Sequence, residues 1–226
     1  MTIPASDDEE LRPYLEPGDF VDSGSEQVRR FAAGAVGYAA DPREQAVRLF
    51  YAVRDGIWYS PWTITTNPEN YRASAVAGME AAYCVPKAVL LTAAARAVGI
   101  PARLGFADVR NHLTSEKLRR WMGTDLFLYH GYTAVHLEGR WLKVTPAFNA
   151  ELCERFGVYP LEFDGTSDAL FHEFTPGGDR HMEYVRYRGE YADLPFEEIM
   201  DAFGRHYGDD MLDDRSADDT AFAPPA

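Results

Sequence analysis

The run YCVPKAVLLTAAARAVGIP, residues 83–101, constrains the fold more than any other segment. Its body consists largely of strong helix formers and is apolar almost all round, which predicts a buried helix rather than an amphipathic surface one. Pro86 is tolerated only in a first turn, so the helix starts near Cys84. Gly99 supplies the stop near Val98, with Pro101 just beyond.

Around this helix the periodicity divides the chain in two. Upstream, a helix is predicted over 42–56. Asp41 caps it, Pro42 takes the first helical position, and Glu44 completes an Asp-x-x-Glu capping box. Residues 61–78 read as loop. Downstream, ARLGFADV (102–109) reads as a strand and LRRWM (118–122) as a short helix. LFLYHGYTAVHLEGRWLKVTPAF (126–148) then reads as a hairpin turning at Glu138-Gly139. Residues 180–193 mix charges and aromatics and read as a solvated element, and Cys153 falls at a helical core position. Helices preceding strands place the chain in the α+β class with an antiparallel sheet.

Composition bounds the function. The chain has 226 residues and a net charge of −14. The acidity sits in two flanks, 1–28 and 190–226, while 29–189 is close to neutral, and no basic stripe occurs anywhere. Nucleic-acid binding is disfavoured accordingly. No apolar run approaches the length of a membrane span, which argues against a membrane partner. The acidic opening MTIPASDDEEL does not read as a secretory signal, and two cysteines make no secreted disulfide framework; a cytoplasmic location is expected. The expected organisation is an acidic flank at 1–28, a domain at 29–208 and an acidic disordered tail at 209–226.

Two side chains carry nucleophilic chemistry. Cys84 opens a helix, where unsatisfied amides and the positive dipole end favour thiolate over thiol. The competing reading is a small buried hydrophobe. If Glu138-Gly139 is the turn, Val135 faces Leu142, Tyr132 faces Thr145 and His130 faces Ala147. His130 then shares a face with Thr145 and Asn149, each about 7–8 Å away between backbones. Pro146 is a place where that pairing can end early. A histidine oriented by a polar neighbour is what a thiol nucleophile requires. Tyr83 and Tyr71 are candidates to help hold an oxyanion, with directions that the sequence does not fix, and His112 stands on a loop that either lines a cleft or is a solvated turn. Neither HExxH nor a Cys-x-x-Cys pair is present, and there is no Asp-x-Asp-x-Asp-Gly calcium pattern, so no metal or cofactor is expected. A zinc site from Cys84, His130 and His136 is the weak alternative.

YCVPKAVLLTAAARAVGIPARL resembles the nucleophile helix of the transglutaminase-like superfamily, and HGYTAVHLEGRWLKVTPAF resembles that family's second motif. AVRLFYAVRDGIWYSP is similar to the helix that commonly precedes the family core, and together the matches span 44–149. The resemblance implies a papain-related fold in which the nucleophile helix packs on an antiparallel sheet. It implies Cys84 as nucleophile and His130 as base, acting on a peptide or protein amide through a thioester. The family's catalytic Asp falls on Thr145, and its aromatic after the histidine is Tyr132, a substrate-binding candidate. Asn149 is the preferred substitute for the Asp, because an amide carbonyl orients histidine in Cys-His-Asn sites. The expected function is a peptidase, amidase or acyltransferase; the alternative is a silent binding module that kept the fold.

Overall fold

The structure, a computed structural model, describes residues 9–111, 115–170, 182–208 and 220–224. Helices α1 (Glu26–Val36), α2 (Pro42–Gly56), α3 (Ala73–Val76) and α4 (Cys84–Ala97) occupy the first half. Strands β1 (Trp58–Tyr59) and β2 (Ala81–Ala82) pair in parallel just ahead of α4. The second half holds β3 (Ala102–Asn111), α5 (Glu116–Met122), β4 (Leu126–Leu137), β5 (Arg140–Val144), α6 (Ala150–Arg155), β6 (Met182–Tyr191) and α7 (Phe196–Tyr207). Strands β5-β4-β3-β6 form one antiparallel sheet. This is the expected α+β architecture. Helix α4 crosses β4 and β3, and α1, α2 and α3 pack around its other sides.

Every residue of α4 from Cys84 to Arg96 is buried, as its all-round apolar composition requires. Three of them are polar, and each is satisfied, as buried polar groups must be. Lys87 Nζ donates to the carbonyls of Arg54 (2.8 Å) and Ile57 (2.5 Å). Thr92 Oγ1 lies 3.0 Å from Thr133 Oγ1, which also bonds the Ala88 carbonyl. Arg96 reaches three carbonyls, of Ala102, Glu16 and Ala192. These bonds tie the helix to both halves of the chain. No helix among the described residues is long and apolar enough to cross a membrane.

The hairpin has the expected register. Leu137 faces Arg140, Val135 faces Leu142 and Thr133 faces Val144. Glu138 (φ 51°) and Gly139 (φ 76°) make the two-residue turn with both φ positive. Pairing stops at Val144, so the facing pairs Tyr132–Thr145 and His130–Ala147 do not form. Pro146 has no amide to donate, and Val144 and Thr145 turn instead to Ala169, whose carbonyl accepts from the Thr145 amide at 2.8 Å.

Two local expectations change. The capping box at α2 is half made: Asp41 accepts from the Arg43 amide, but Glu44 reaches forward to Arg48 at 2.6 Å instead of back. Within the segment read as a disordered tail, residues 220–224 are docked on the domain, with Phe222 buried.

Candidate active site

Cys84 is delivered to the sheet by a close backbone approach. The chain leaves β2 at Ala82, Tyr83 stays extended, and the helix begins at Cys84. Opposite this first turn stands Gly131 of β4. A Cβ there would lie 3.1 Å from Val85 Cα and 3.3 Å from the Cys84 carbonyl oxygen, so only a residue without a side chain lets helix and strand sit this close. Gly131→Ala is therefore expected to push the start of α4 away from β4 and to cost about 1–3 kcal/mol, the range of overpacking. A fall in the urea midpoint at unchanged m-value is the check.

His130, next to that glycine, points into the same space as the cysteine. A bulge places it: Ala107 faces His130 while Val109 faces Phe127, so β4 carries one extra residue, and Tyr129 takes φ 51°. The Tyr129 amide donates to Asp108 Oδ1 at 3.1 Å. The Asp108 carboxylate is in turn gripped by Arg188, with Nε 2.9 Å from both oxygens and Nη2 2.7 Å from one. An ion pair between buried Asp108 and half-buried Arg188 thus holds the backbone immediately before the histidine. Cys84, His130 and Tyr83 line one cavity with Tyr59, Trp121, Phe127 and Leu128; its volume is about 30 Å³, room for one or two waters.

Electrostatics in this cavity favour neutral groups. Burial pushes the Cys84 thiol up to about 11, while the amides of Gly131, Val85 and Cys84 itself, then Lys87, pull it down. Burial alone lowers His130 to about 4. The expected thiolate is thus outweighed by desolvation as the site stands. His130 Nε2 is buried with no hydrogen-bond partner among the described residues, Cys84 included.

The two candidates for orienting the histidine do not reach it. Asn149 is 2% exposed, and its amide is spent on backbone. Oδ1 accepts from the Tyr59 amide at 2.6 Å, and Nδ2 donates to the carbonyls of Arg54 (2.5 Å) and Ile57 (2.9 Å). Those carbonyls close the C-terminus of α2, where a helix always leaves orphan acceptors, and Lys87 caps the same two. Asn149 is a helix cap here, not a ligand of His130. Thr145 is buried, and its Oγ1 has no partner among the described residues, so it makes no bond to His130 either.

The remaining candidates fall in different places. Tyr83 lines the cavity wall, with its hydroxyl donating to Tyr71, which bonds on to the Thr65 carbonyl. The Tyr132 ring covers Gly105 of β3, and its hydroxyl donates to Glu190 at 3.1 Å beside Lys143. His112 lies outside the described residues. His136 packs on Trp141, and no group of three His, Cys, Asp or Glu able to hold a metal occurs among the described residues. Sequence reasoning missed Lys87 and Asp108 as site-building groups. A lysine in the first turn of an otherwise apolar helix, and an aspartate inside a strand, were the signals available.

A family model described as the transglutaminase-like superfamily matches residues 29–146. No curated protein matches the chain. Among solved structures, a provisionally assigned cysteine protease from Cytophaga hutchinsonii is similar, at 18% identity with a TM-score of 0.48. The match covers 64% of this chain and 45% of that one, so this chain spans less than half of that protein's length.

Proposed function

Because this chain belongs to the transglutaminase-like superfamily, we propose that it is a cysteine enzyme acting on amide bonds of a peptide or protein, with Cys84 as nucleophile and His130 as base. One observation carries the reading. A cysteine at the start of a buried helix shares a cavity with a histidine whose Nε2 has no partner among the described residues. On this reading the Sγ proton passes to the His130 imidazole as sulfur attacks the carbonyl carbon. The ring is unbonded to Cys84 as the site stands, so for this transfer it must first close on the sulfur. Amides of Gly131, Val85 and Cys84 face the sulfur and favour the charge that develops at this end of the helix. Collapse of the tetrahedral intermediate breaks the C–N bond, leaves a thioester on Cys84, and returns the proton from His130 to the departing amine. Water then completes hydrolysis; an amine in its place completes transfer. The mechanism draws on no metal or cofactor.

Cys153 provides an internal control for the test. Burial pushes it, too, up to about 11, and no histidine among the described residues lines its cavity. At pH 7, iodoacetamide is expected to label Cys84 at least about tenfold faster than Cys153, read by peptide mass spectrometry. His130→Ala should abolish the difference. A tenfold ratio needs only about 1.4 kcal/mol, well within what an adjacent base and helix amides supply. Equal, slow labelling of both thiols in the wild type would refute the enzyme reading.

That result would favour the second reading, a binding module that retained the fold. Its support is specific: Thr145 stands at the family's Asp position, and neither it nor Asn149 bonds the histidine. A neutral hydroxyl cannot stabilise imidazolium by charge.

A further inference from the structure

Strand β4 pairs with β5 only from Thr133 onward, so the stretch that leads into the histidine has no strand on that side among the described residues. A side chain takes the strand's place. The Tyr207 hydroxyl accepts from the Leu128 amide at 2.7 Å and donates to the Leu126 carbonyl at 3.0 Å. A phenol does both because its oxygen carries one donor and two lone pairs. The bridge closes at the start of the bulge between Phe127 and His130.

The same helix makes a second bond to this stretch. Glu198, near the start of α7, accepts from the Tyr129 hydroxyl at 2.6 Å. Tyr129 is the residue with φ 51°, a left-handed conformation that a side chain other than glycine keeps only where its surroundings hold it. Asp108 holds the amide of this residue and Glu198 its hydroxyl. Tyr207 and Phe203 meanwhile line the cavity that contains Cys84 and His130. Helix α7 therefore touches both the cavity of the proposed chemistry and the backbone that carries the base. It lies outside residues 29–146, the part matched by the family model.

We propose that α7 is the positioning element of the Cys84–His130 site: through Tyr207 at Leu126 and Leu128, and Glu198 at Tyr129, it fixes the bulge that sets the place of the imidazole. The proposal rests on the thiol reading for its chemistry, while its geometry is independent of it. Both side chains act through the backbone of β4. A base that must close on the sulfur needs a fixed starting place, and a displacement of about 1 Å costs on the order of a hundredfold in an oriented reaction.

Tyr207→Phe removes one oxygen and leaves the ring in the cavity wall. In the folded variant the ratio of Cys84 to Cys153 labelling by iodoacetamide at pH 7 is expected to fall at least about fivefold from wild type. The pH profile should change with it. Base-assisted attack is nearly flat from pH 6 to pH 8, because the imidazole is neutral throughout. An unassisted thiol near 11 gains about tenfold per pH unit. Tyr207→Phe should move Cys84 from the first profile to the second, whereas loss of a merely structural bond leaves the slope alone. An unchanged slope overturns the proposal. Should Tyr207→Phe fail to fold, Glu198→Ala decides the matter. It should lower the ratio about threefold, and Glu198→Gln, whose amide oxygen still accepts from Tyr129, should restore it. No loss in Glu198→Ala overturns the proposal.

If wild-type Cys84 reacts no faster than Cys153, the thiol reading has failed by itself. The helix is then judged on the His130 ring, followed by NMR from pH 8 to pH 5. The ring should stay neutral in wild type and begin to charge in whichever variant folds, as hydration returns it towards the ordinary value of about 6.5. Titration confined to the variant supports the positioning role, and matching behaviour of the two proteins overturns it.

Discussion

Asn149→Ala is expected to lower the unfolding free energy by about 2–4 kcal/mol while leaving the alkylation ratio of Cys84 to Cys153 nearly unchanged. The amide group meets three buried backbone groups, at Tyr59, Arg54 and Ile57. Truncation orphans the Tyr59 amide, and an unsatisfied buried donor costs about 1–3 kcal/mol. The two carbonyls keep Lys87 as a donor, so their share is smaller, about 0.5–1.5 kcal/mol for each lost bond. Urea denaturation read against the labelling assay separates the roles. A stable variant with a sluggish Cys84 would mean that Asn149 orients His130 after all, as Cys-His-Asn chemistry anticipates. Loss of stability with retained labelling would identify it as the cap of α2.

The second large effect is on acid stability. His130 is lowered to about 4 by burial, against about 6.5 in an unfolded chain. Below pH 6.5 the unfolded state takes up a proton that the folded state refuses, so unfolding gains free energy as the pH falls. The penalty accumulates between pH 6.5 and pH 4 and is complete below that, at about 3 kcal/mol for a gap of this size. Above pH 6.5 both states hold a neutral ring and the contribution vanishes. His130→Gln should remove this component. The difference in unfolding free energy between wild type and variant, measured at pH 8, 6, 5 and 4, should therefore shift by about 3 kcal/mol across the series. Carboxylates titrate in the same range, but they are common to both proteins and cancel in the difference. Parallel curves would mean that the native ring is hydrated and free to charge, and burial in the cavity with Cys84 would not describe it. The same burial keeps the base unprotonated well below neutral pH and weakens it as an acceptor of the thiol proton.

How much of this was legible in the residues depends on the range of the forces involved. Helix α4 was readable because its limits are set by Pro86 and Gly99, and its burial by the residues between them. The β4–β5 register was readable because a two-residue turn at Glu138-Gly139 leaves one way to pair the arms. Cys84 at a helix start and His130 on the first hairpin arm follow from those two elements. The expectation that His130, Thr145 and Asn149 share a face failed where strict alternation failed. Pairing ended at Val144, and the bulge at Tyr129 redirected the strand. That bulge is held by Asp108 and Arg188, which are 80 residues apart, and no local pattern announces it.

The order of elements, the buried rod of α4 and the cysteine at its head were written in the chain itself, because propensity, turn chemistry and apolar pattern act over a few neighbouring residues. Which polar groups end up paired was decided only when distant segments met. Lys87 and Asn149 close a helix end that neither belongs to, and Phe222 completes the wall of a cavity otherwise lined by residues between 59 and 158. The physical reason is that a hydrogen bond or a filled cavity is a property of two surfaces in contact, and its partners exist only once the fold has brought those surfaces together.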